Sequence, residues 1–92
     1  MLEKYLDNLI KNKDYDLSGM KIDFIKENKN FYLITFKEKI KSVGLPLNYC
    51  IDKSTGENKA LYLPDNENFE FLDSFEFCDF VQIPEKFRHK YF

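Results

Sequence analysis

The chain has 92 residues, of which 43% are hydrophobic and 33% are charged, and its formal net charge is −2 at pH 7. This length accommodates one folded domain and is too short for two. No stretch approaches the roughly 18 apolar residues that a transmembrane helix needs, so we expect no membrane contact. No basic region near the N-terminus leads into an apolar run, so no signal peptide is predicted and we expect a cytoplasmic protein.

The first half of the chain predicts one helix and two strands. Apolar side chains recur at helical spacing over residues 2–12, with charged residues between them, which indicates an amphipathic helix. Asn12 to Gly19 contains the polar residues and glycine of a loop. Residues 20–25 then alternate, which predicts a strand with Met20, Ile22 and Phe24 on one face. A turn leads into a second predicted strand over residues 31–37, which is rich in aromatic and β-branched residues.

A hairpin is predicted near the middle of the chain. A third strand is expected over residues 47–51, and a fourth over residues 59–63, where Pro64 stops it. The loop between them begins at Asp52, whose side chain can accept local backbone hydrogen bonds. Gly56 can take the positive φ that such a loop requires.

The segment from Ala60 to Glu85, which we call the acidic segment, contains seven carboxylates and no Lys, Arg or His. Because all 14 basic residues and the 9 other acids lie elsewhere, the acidic segment carries −7 and the rest of the chain +5. Five of the carboxylates recur at every third residue. This spacing fits neither a helix nor a strand well, so the sequence does not decide whether residues 66–74 form a helix or a loop. Residues 75–81 alternate as a fifth strand, and Pro84 opens a basic-aromatic tail, residues 85–92, that we expect to be solvated.

These elements predict a single α+β domain over residues 1–92. Its N-terminal helix would pack on a four- to five-stranded antiparallel meander sheet. The helix would shield one face of the sheet and leave the other solvated or available to a partner. The chain has ten Phe and six Tyr, which is more than a small core needs. We therefore expect some aromatic side chains to be exposed at a binding surface.

The sequence offers little for catalysis or metal binding. A nucleophile needs a neighbouring base, and the only histidine, His89, lies near the C-terminus. Residues 65–68 look like the start of a calcium loop, but Glu70 stands where that loop needs its glycine. Cys50 and Cys78, which we expect to be reduced, cannot supply four zinc ligands with one histidine. We therefore expect a non-enzymatic protein without metal or cofactor.

Two groups of basic residues lie beside aromatic residues, as in some nucleic-acid-binding proteins: Lys37, Lys39 and Lys41 around Phe36, and Lys86, Arg88 and Lys90 with Phe87 and Tyr91. Neither group is dense, and a pI near 5.4 opposes phosphate binding. We therefore do not expect nucleic acid as the partner. The lysines are interpreted as a solvated edge strand and a solvated tail.

The carboxylates of the acidic segment support two interpretations. They can do no more than solvate one face of the domain. Alternatively, carboxylates that alternate with phenylalanines supply the rim charge and buried anchors of an interface with a basic protein, such as a nuclease. On the second interpretation, the predicted partner-binding residues are Glu67, Phe69, Glu70, Phe71, Asp73, Glu76 and Asp79.

A resemblance to a known family agrees with the second interpretation. Gly44-Leu45-Pro46-Leu47-Asn48-Tyr49-Cys50-Ile51-Asp52-Lys53-Ser54-Thr55-Gly56-Glu57 resembles the Pro, hydrophobic-Asp, x-x-Thr-Gly segment of small bacterial immunity proteins. Those proteins neutralise polymorphic or contact-dependent toxins, and many are single α+β domains of about this length. The resemblance implies an inhibitor of a toxin, with no catalytic residues. Frequent Lys, Asn, Ile, Phe and Tyr are typical of AT-rich bacterial genomes.

The alternative function is a small structural or assembly protein that self-associates. In that case the sheet of one copy would pair with the sheet of another, giving a homodimer. The interface would bury three phenylalanines of the predicted fifth strand, Phe75, Phe77 and Phe80.

Overall fold

The computed structural model describes residues 2–15, 17, 19–38, 47–61, 66–75, 78–85 and 87, with residues 66–69 described by their backbone alone. In chain order the elements are α1 Leu2–Lys11, β1 Met20–Glu27, β2 Phe31–Glu38, β3 Leu47–Asp52, β4 Asn58–Leu61, α2 Asn66–Asp73 and β5 Asp79–Val81. This confirms the predicted α+β fold, in which an N-terminal helix precedes an antiparallel sheet. Residues 66–73, which the sequence left open between helix and loop, are helical.

The five strands lie in the order β4-β3-β2-β1-β5, and every neighbouring pair is antiparallel. Strands β1 to β4 form the predicted meander. Strand β5 departs from it, because it returns to the opposite edge and pairs with β1 instead of β4. It is also shorter than the predicted strand over residues 75–81, since Phe75 lies in a turn in which its carbonyl accepts a hydrogen bond from the Cys78 N–H at 3.1 Å.

Helix α1 covers one face of the sheet. Its buried side chains Tyr5, Leu6 and Leu9 belong to a core that includes Ile22, Ile25, Ile34, Phe36, Tyr49 and Ile51. The alternation of β1 is interrupted, because its pairing with β2 shifts register between Ile22 and Phe24. Such a bulge moves the following side chains to the other face. Ile25 is therefore buried in place of Phe24, and the prediction that Phe24 faces this core is wrong.

A second core lies on the opposite face of the sheet. Its buried residues are Leu33, Cys50, Leu61 and Phe75, and Phe31, Phe71, Leu72 and Cys78 pack against them. Phe71 and Leu72 belong to α2, so the second helix covers part of the face that the sequence analysis left solvated or open. Apolar burial on both faces is the main favourable term that holds the two helices to the sheet.

Phe87 corrects the expectation of a solvated tail. Its side chain is only 2% exposed and joins the core beneath α1. The Phe87 N–H donates to the Pro84 carbonyl at 2.9 Å, which turns the chain back toward the sheet. Burial of this large aromatic ring is a favourable contribution to stability.

The hairpin between β3 and β4 has the predicted chemistry. Gly56 has a φ of +79°, and its N–H donates to the Asp52 carbonyl at 2.7 Å. The Ser54 hydroxyl and N–H donate to the Asp52 carboxylate, and these bonds hold the pKa of that carboxyl below its usual value. The hairpin also contacts α1, since the Tyr5 hydroxyl donates to the Lys53 carbonyl at 3.1 Å.

Gly56→Ala should lower the free energy of unfolding more than Gly19→Ala. Both glycines have positive φ, +79° and +75°, so both substitutions cost roughly 1–2 kcal/mol for the left-handed backbone. Only at Gly56 does a new Cβ meet a neighbour, because it would lie 2.6 Å from Cε1 of Tyr5, whereas nothing lies within 4 Å at Gly19. The clash should add about 1–3 kcal/mol. Urea unfolding of both variants measures the difference, and equal losses would contradict the close contact.

Candidate partner-binding surface

Helix α2 carries Glu70 and Asp73 on its outer side and Phe71 on the side that faces the sheet. Residues three apart lie about 60° apart around a helix, and residues four apart lie on nearly the same line. Glu70 and Asp73 therefore share one side of α2, and both are exposed. Phe71 points to the sheet, as does Phe75 in the turn that follows the helix. The helix ends at Asp73, and the hydroxyl and N–H of the next residue, Ser74, both donate to the Phe71 carbonyl.

The structure describes four of the seven predicted partner-binding side chains. Glu70 and Asp73 lie on α2, and Asp79 is an exposed residue at the start of β5. Phe71 is half-buried. The side chains of Glu67, Phe69 and Glu76 lie outside the described residues. The described carboxylates therefore occupy the outer side of α2 and the free edge of the sheet.

Phe71 is mainly a packing residue in the described structure. Its ring lies 5.3 Å from the ring of Phe31 at 79° and 5.2 Å from the ring of Phe75 at 60°. Edge-on and tilted contacts of this kind are favourable between aromatic rings. They join α2 to β2 through the second core. The role of Phe71 as an anchor for a partner stays a prediction.

Phe80 is the exposed aromatic residue that the predicted site left out. It is 69% exposed on β5, although it contacts Phe24 with ring centroids 5.7 Å apart. The Lys26 ammonium lies 5.0 Å from the Phe80 ring centroid and 5.4 Å from that of Phe24. We call these three residues the Phe80 patch. Local sequence could not reveal it, because Phe80 and Phe24 meet only when β5 pairs with β1.

On the face of the sheet opposite to Phe80, β5 and β1 place two carboxylates side by side. Asp79 lies directly opposite Glu27 in the pairing of β5 with β1. The Lys53 ammonium binds the Glu27 carboxylate at 3.2 Å and also lies 4.6 Å from the Tyr32 ring centroid. Within the described part of the chain, no hydrogen bond or ion pair reaches the Asp79 carboxylate. Carboxylates directly opposite each other on neighbouring strands repel, so a cation beside Asp79 would be favourable.

Two groups of basic residues beside aromatic residues were considered as nucleic-acid sites. Where the structure describes them, neither offers an exposed aromatic ring on which a nucleobase can stack. Phe36 is buried beneath α1. Lys37 forms an ion pair with Asp23 at 3.0 Å. Phe87 is buried in the same core as Phe36. Lys39 and Lys41 of the first group, and the charged residues of the second, lie outside the described residues.

Among the described residues, no three His, Cys, Asp or Glu side chains lie close enough to hold a metal ion.

Cys50 and Cys78 are free thiols. Cys50 is buried in the second core, and burial raises the pKa of its thiol. The Cys78 Sγ is half-buried and donates to the Ser74 carbonyl at 3.4 Å. In the described ranges, neither helix has the length and apolar content to cross a membrane.

Comparisons with protein-family models, with curated proteins and with solved structures found no match to this chain. The resemblance of residues 44–57 to bacterial immunity proteins therefore stays a prediction. Residues 47–57 of that stretch form β3 and its connection to β4. The first three residues of the stretch lie outside the described residues.

Phe71→Ala should destabilise the domain, whereas Phe80→Ala should leave its stability nearly unchanged. The Phe71 ring packs between Phe31 and Phe75, so its removal leaves a gap in the second core and should cost about 2–4 kcal/mol. Phe80 is mostly in water, and its removal should cost about 0.5 kcal/mol. Thermal and urea unfolding of both variants provide the measurement. A Phe80→Ala loss as large as that of Phe71→Ala would show that the Phe80 patch is structural.

In the folded protein, iodoacetamide should modify Cys78 at least about ten times faster than Cys50. The Cys50 thiol is buried, and its raised pKa lowers the fraction of reactive thiolate at pH 8. Peptide mapping by mass spectrometry after timed labelling measures both rates. In urea the two thiols should react at similar rates, which serves as the control. Equal rates in the folded state would contradict the burial of Cys50 in the second core.

Proposed function

We propose that this chain is a non-enzymatic protein-binding module that occludes the active site of a basic protein, such as a toxin or nuclease. The observation that carries the proposal is the exposure of Glu70, Asp73 and Asp79 in a segment that has no basic residue. The resemblance to immunity proteins supports it independently. An inhibitor needs a complementary surface and no catalytic group of its own.

The electrostatic support comes from which of the described carboxylates form salt bridges and which do not. The two described salt bridges engage Asp23 and Glu27, which both lie outside the acidic segment. Within the described residues, Glu70, Asp73 and Asp79 form no salt bridge. Their charges therefore stay directed at solvent, where like charges add up to a field that steers a cationic partner. Steering of this kind raises the association rate and weakens as salt increases.

The Phe80 patch adds an apolar contact beside these charges. Interfaces draw most of their binding energy from a few buried aromatic or arginine side chains surrounded by polar residues. Phe80 is 69% exposed and follows Asp79 directly. We propose Phe80 as an anchor in addition to the seven residues predicted from the sequence.

We also propose that the protein works in the cytoplasm. Cys50 and Cys78 are both free. Free thiols are the usual state in a reducing compartment, where glutathione and thioredoxin keep disulfides from accumulating.

The second candidate function is self-association through the edge strand β5. The exposure of Phe80 favours it, because an apolar side chain on a free sheet edge can pair with a second copy. Of the three phenylalanines in the predicted interface, Phe77 lies outside the described residues. Phe75 is only 1% exposed and fills the second core, so it is not available to another chain. Sedimentation over a hundredfold range of concentration distinguishes a dimer from a monomer.

Glu70→Lys combined with Asp73→Lys should abolish capture of the partner without unfolding the domain. Both side chains are exposed on α2, so the reversal changes the field and leaves the core intact. The measurement is capture from a lysate of the source organism by tagged protein, washed at low and then high salt. A basic protein that the wild type retains at low salt should be absent from the double variant.

The matched control is Glu38→Lys with Glu57→Lys. These residues are also exposed and change the net charge by the same amount, but they lie outside the acidic segment. The control should retain the captured protein, and circular dichroism should show both variants folded. Capture that survives the reversal at Glu70 and Asp73 would sink the acidic-surface proposal. If the control variant lost capture equally, the effect of the reversal would come from net charge and not from the position of the carboxylates.

A further inference from the structure

We propose that β5 binds its partner by strand addition, taking an extended segment in which basic and apolar residues alternate. This rests on the proposed function, because it names the part of the basic partner that docks. A strand at the edge of a sheet has backbone N–H and C=O groups that are directed away from its neighbour. An added strand can use these groups, while its alternate side chains provide specificity.

The two edges of the sheet differ in a way that favours β5. Strand β4 carries the exposed Lys59, and lysine on an edge strand discourages pairing with another chain. The Asn12 amide also donates to the Asn58 side chain at 3.1 Å, which ties α1 to that edge. Strand β5 carries no lysine, and among the described strands its only neighbour is β1. It presents the exposed Phe80 to an incoming strand.

The faces of β5 specify the side chains of that strand. Phe80 lies opposite Lys26 on the face that also carries Phe24. Asp79 lies opposite Glu27 on the other face, where the Lys53 ammonium already binds Glu27. Successive residues of a strand point to opposite faces. An added strand therefore gains most from an apolar side chain beside Phe80 and a Lys or Arg beside Asp79.

A second copy of this chain fits the edge less well than such a segment. Two β5 strands paired antiparallel about Phe80 would place the Phe80 rings side by side. Each Asp79 would then lie opposite a Val81, so neither carboxylate would gain a cation. A segment with alternating basic and apolar residues satisfies both faces together, and charge complementarity therefore selects it.

The test uses two synthetic peptides of identical composition with capped ends. In the first, four lysines alternate with valine, phenylalanine and valine; in the second, the four lysines form one block followed by the three apolar residues. Both carry the same charge, so the difference between them reports the order of residues and not the net charge. The alternating peptide should bind the full chain at least about tenfold more tightly, and it should slow amide hydrogen exchange at residues 79–81.

Variants locate the binding on β5. Asp79→Asn and Phe80→Ser should each weaken the alternating peptide several-fold. Glu57→Gln, which removes one exposed carboxylate away from this edge, should leave its affinity within about twofold. A peptide with N-methyl groups on alternate residues keeps its charges and side chains but cannot complete the backbone ladder, so it should bind much more weakly.

Equal affinity of the two peptides, or binding without protection at residues 79–81, would overturn strand addition. So would the failure of both peptides to bind. A protein that is already dimeric without peptide, with protected β5 amides that exchange faster on dilution, would assign the edge to a second copy. None of these results bears on the reversal at Glu70 and Asp73, which tests the proposed function through capture of the partner itself.

Discussion

The structure depends on the burial of strand β2 on both of its faces. Residues 33–36 are all buried, and successive side chains point to opposite sides of the sheet. Ile34 and Phe36 pack beneath α1, whereas Leu33 belongs to the second core. Neither face of the sheet centre can therefore be left to water. Helix α1, which precedes the strands in the chain, covers one face of the sheet. The other face has to be covered by residues that follow β4.

That second cover determines where the exposed features lie. Side chains of α2 and of the turn after it fill the second core, so the chain passes across the sheet and β5 arrives at the edge beside β1. There Phe80 gains a contact with Phe24 but remains largely in water. Asp79 meets another carboxylate instead of a lysine. The covering of the second face thus leaves an acidic and aromatic edge at β5, which is the edge that we propose for partner binding.

Three described acids outside the acidic segment take part in local interactions. Asp23 and Glu27 form ion pairs with lysines on or beside the sheet, and the Asp52 carboxylate caps its own hairpin. Surface ion pairs contribute little to stability, but they cancel charge locally. The acidic segment contains no lysine, and within the described residues Glu70, Asp73 and Asp79 form no ion pair, so the field of these three carboxylates is not cancelled locally. Asp23, Glu27 and Asp52 therefore differ from Glu70, Asp73 and Asp79, which we propose as part of a partner-binding surface.

The sequence by itself determined α1, the β3–β4 hairpin with its positive-φ Gly56, and the concentration of negative charge between residues 60 and 85. These depend on short-range periodicity, on turn chemistry and on composition, which a local window contains. Only the tertiary structure decided that a bulge buries Ile25 in place of Phe24, that β5 pairs with β1, and which phenylalanines are exposed. Phe75 and Phe80 are similar in sequence context, yet one fills the second core and the other faces water. Strand order and the covering of sheet faces depend on contacts between distant residues, and no local pattern specifies them.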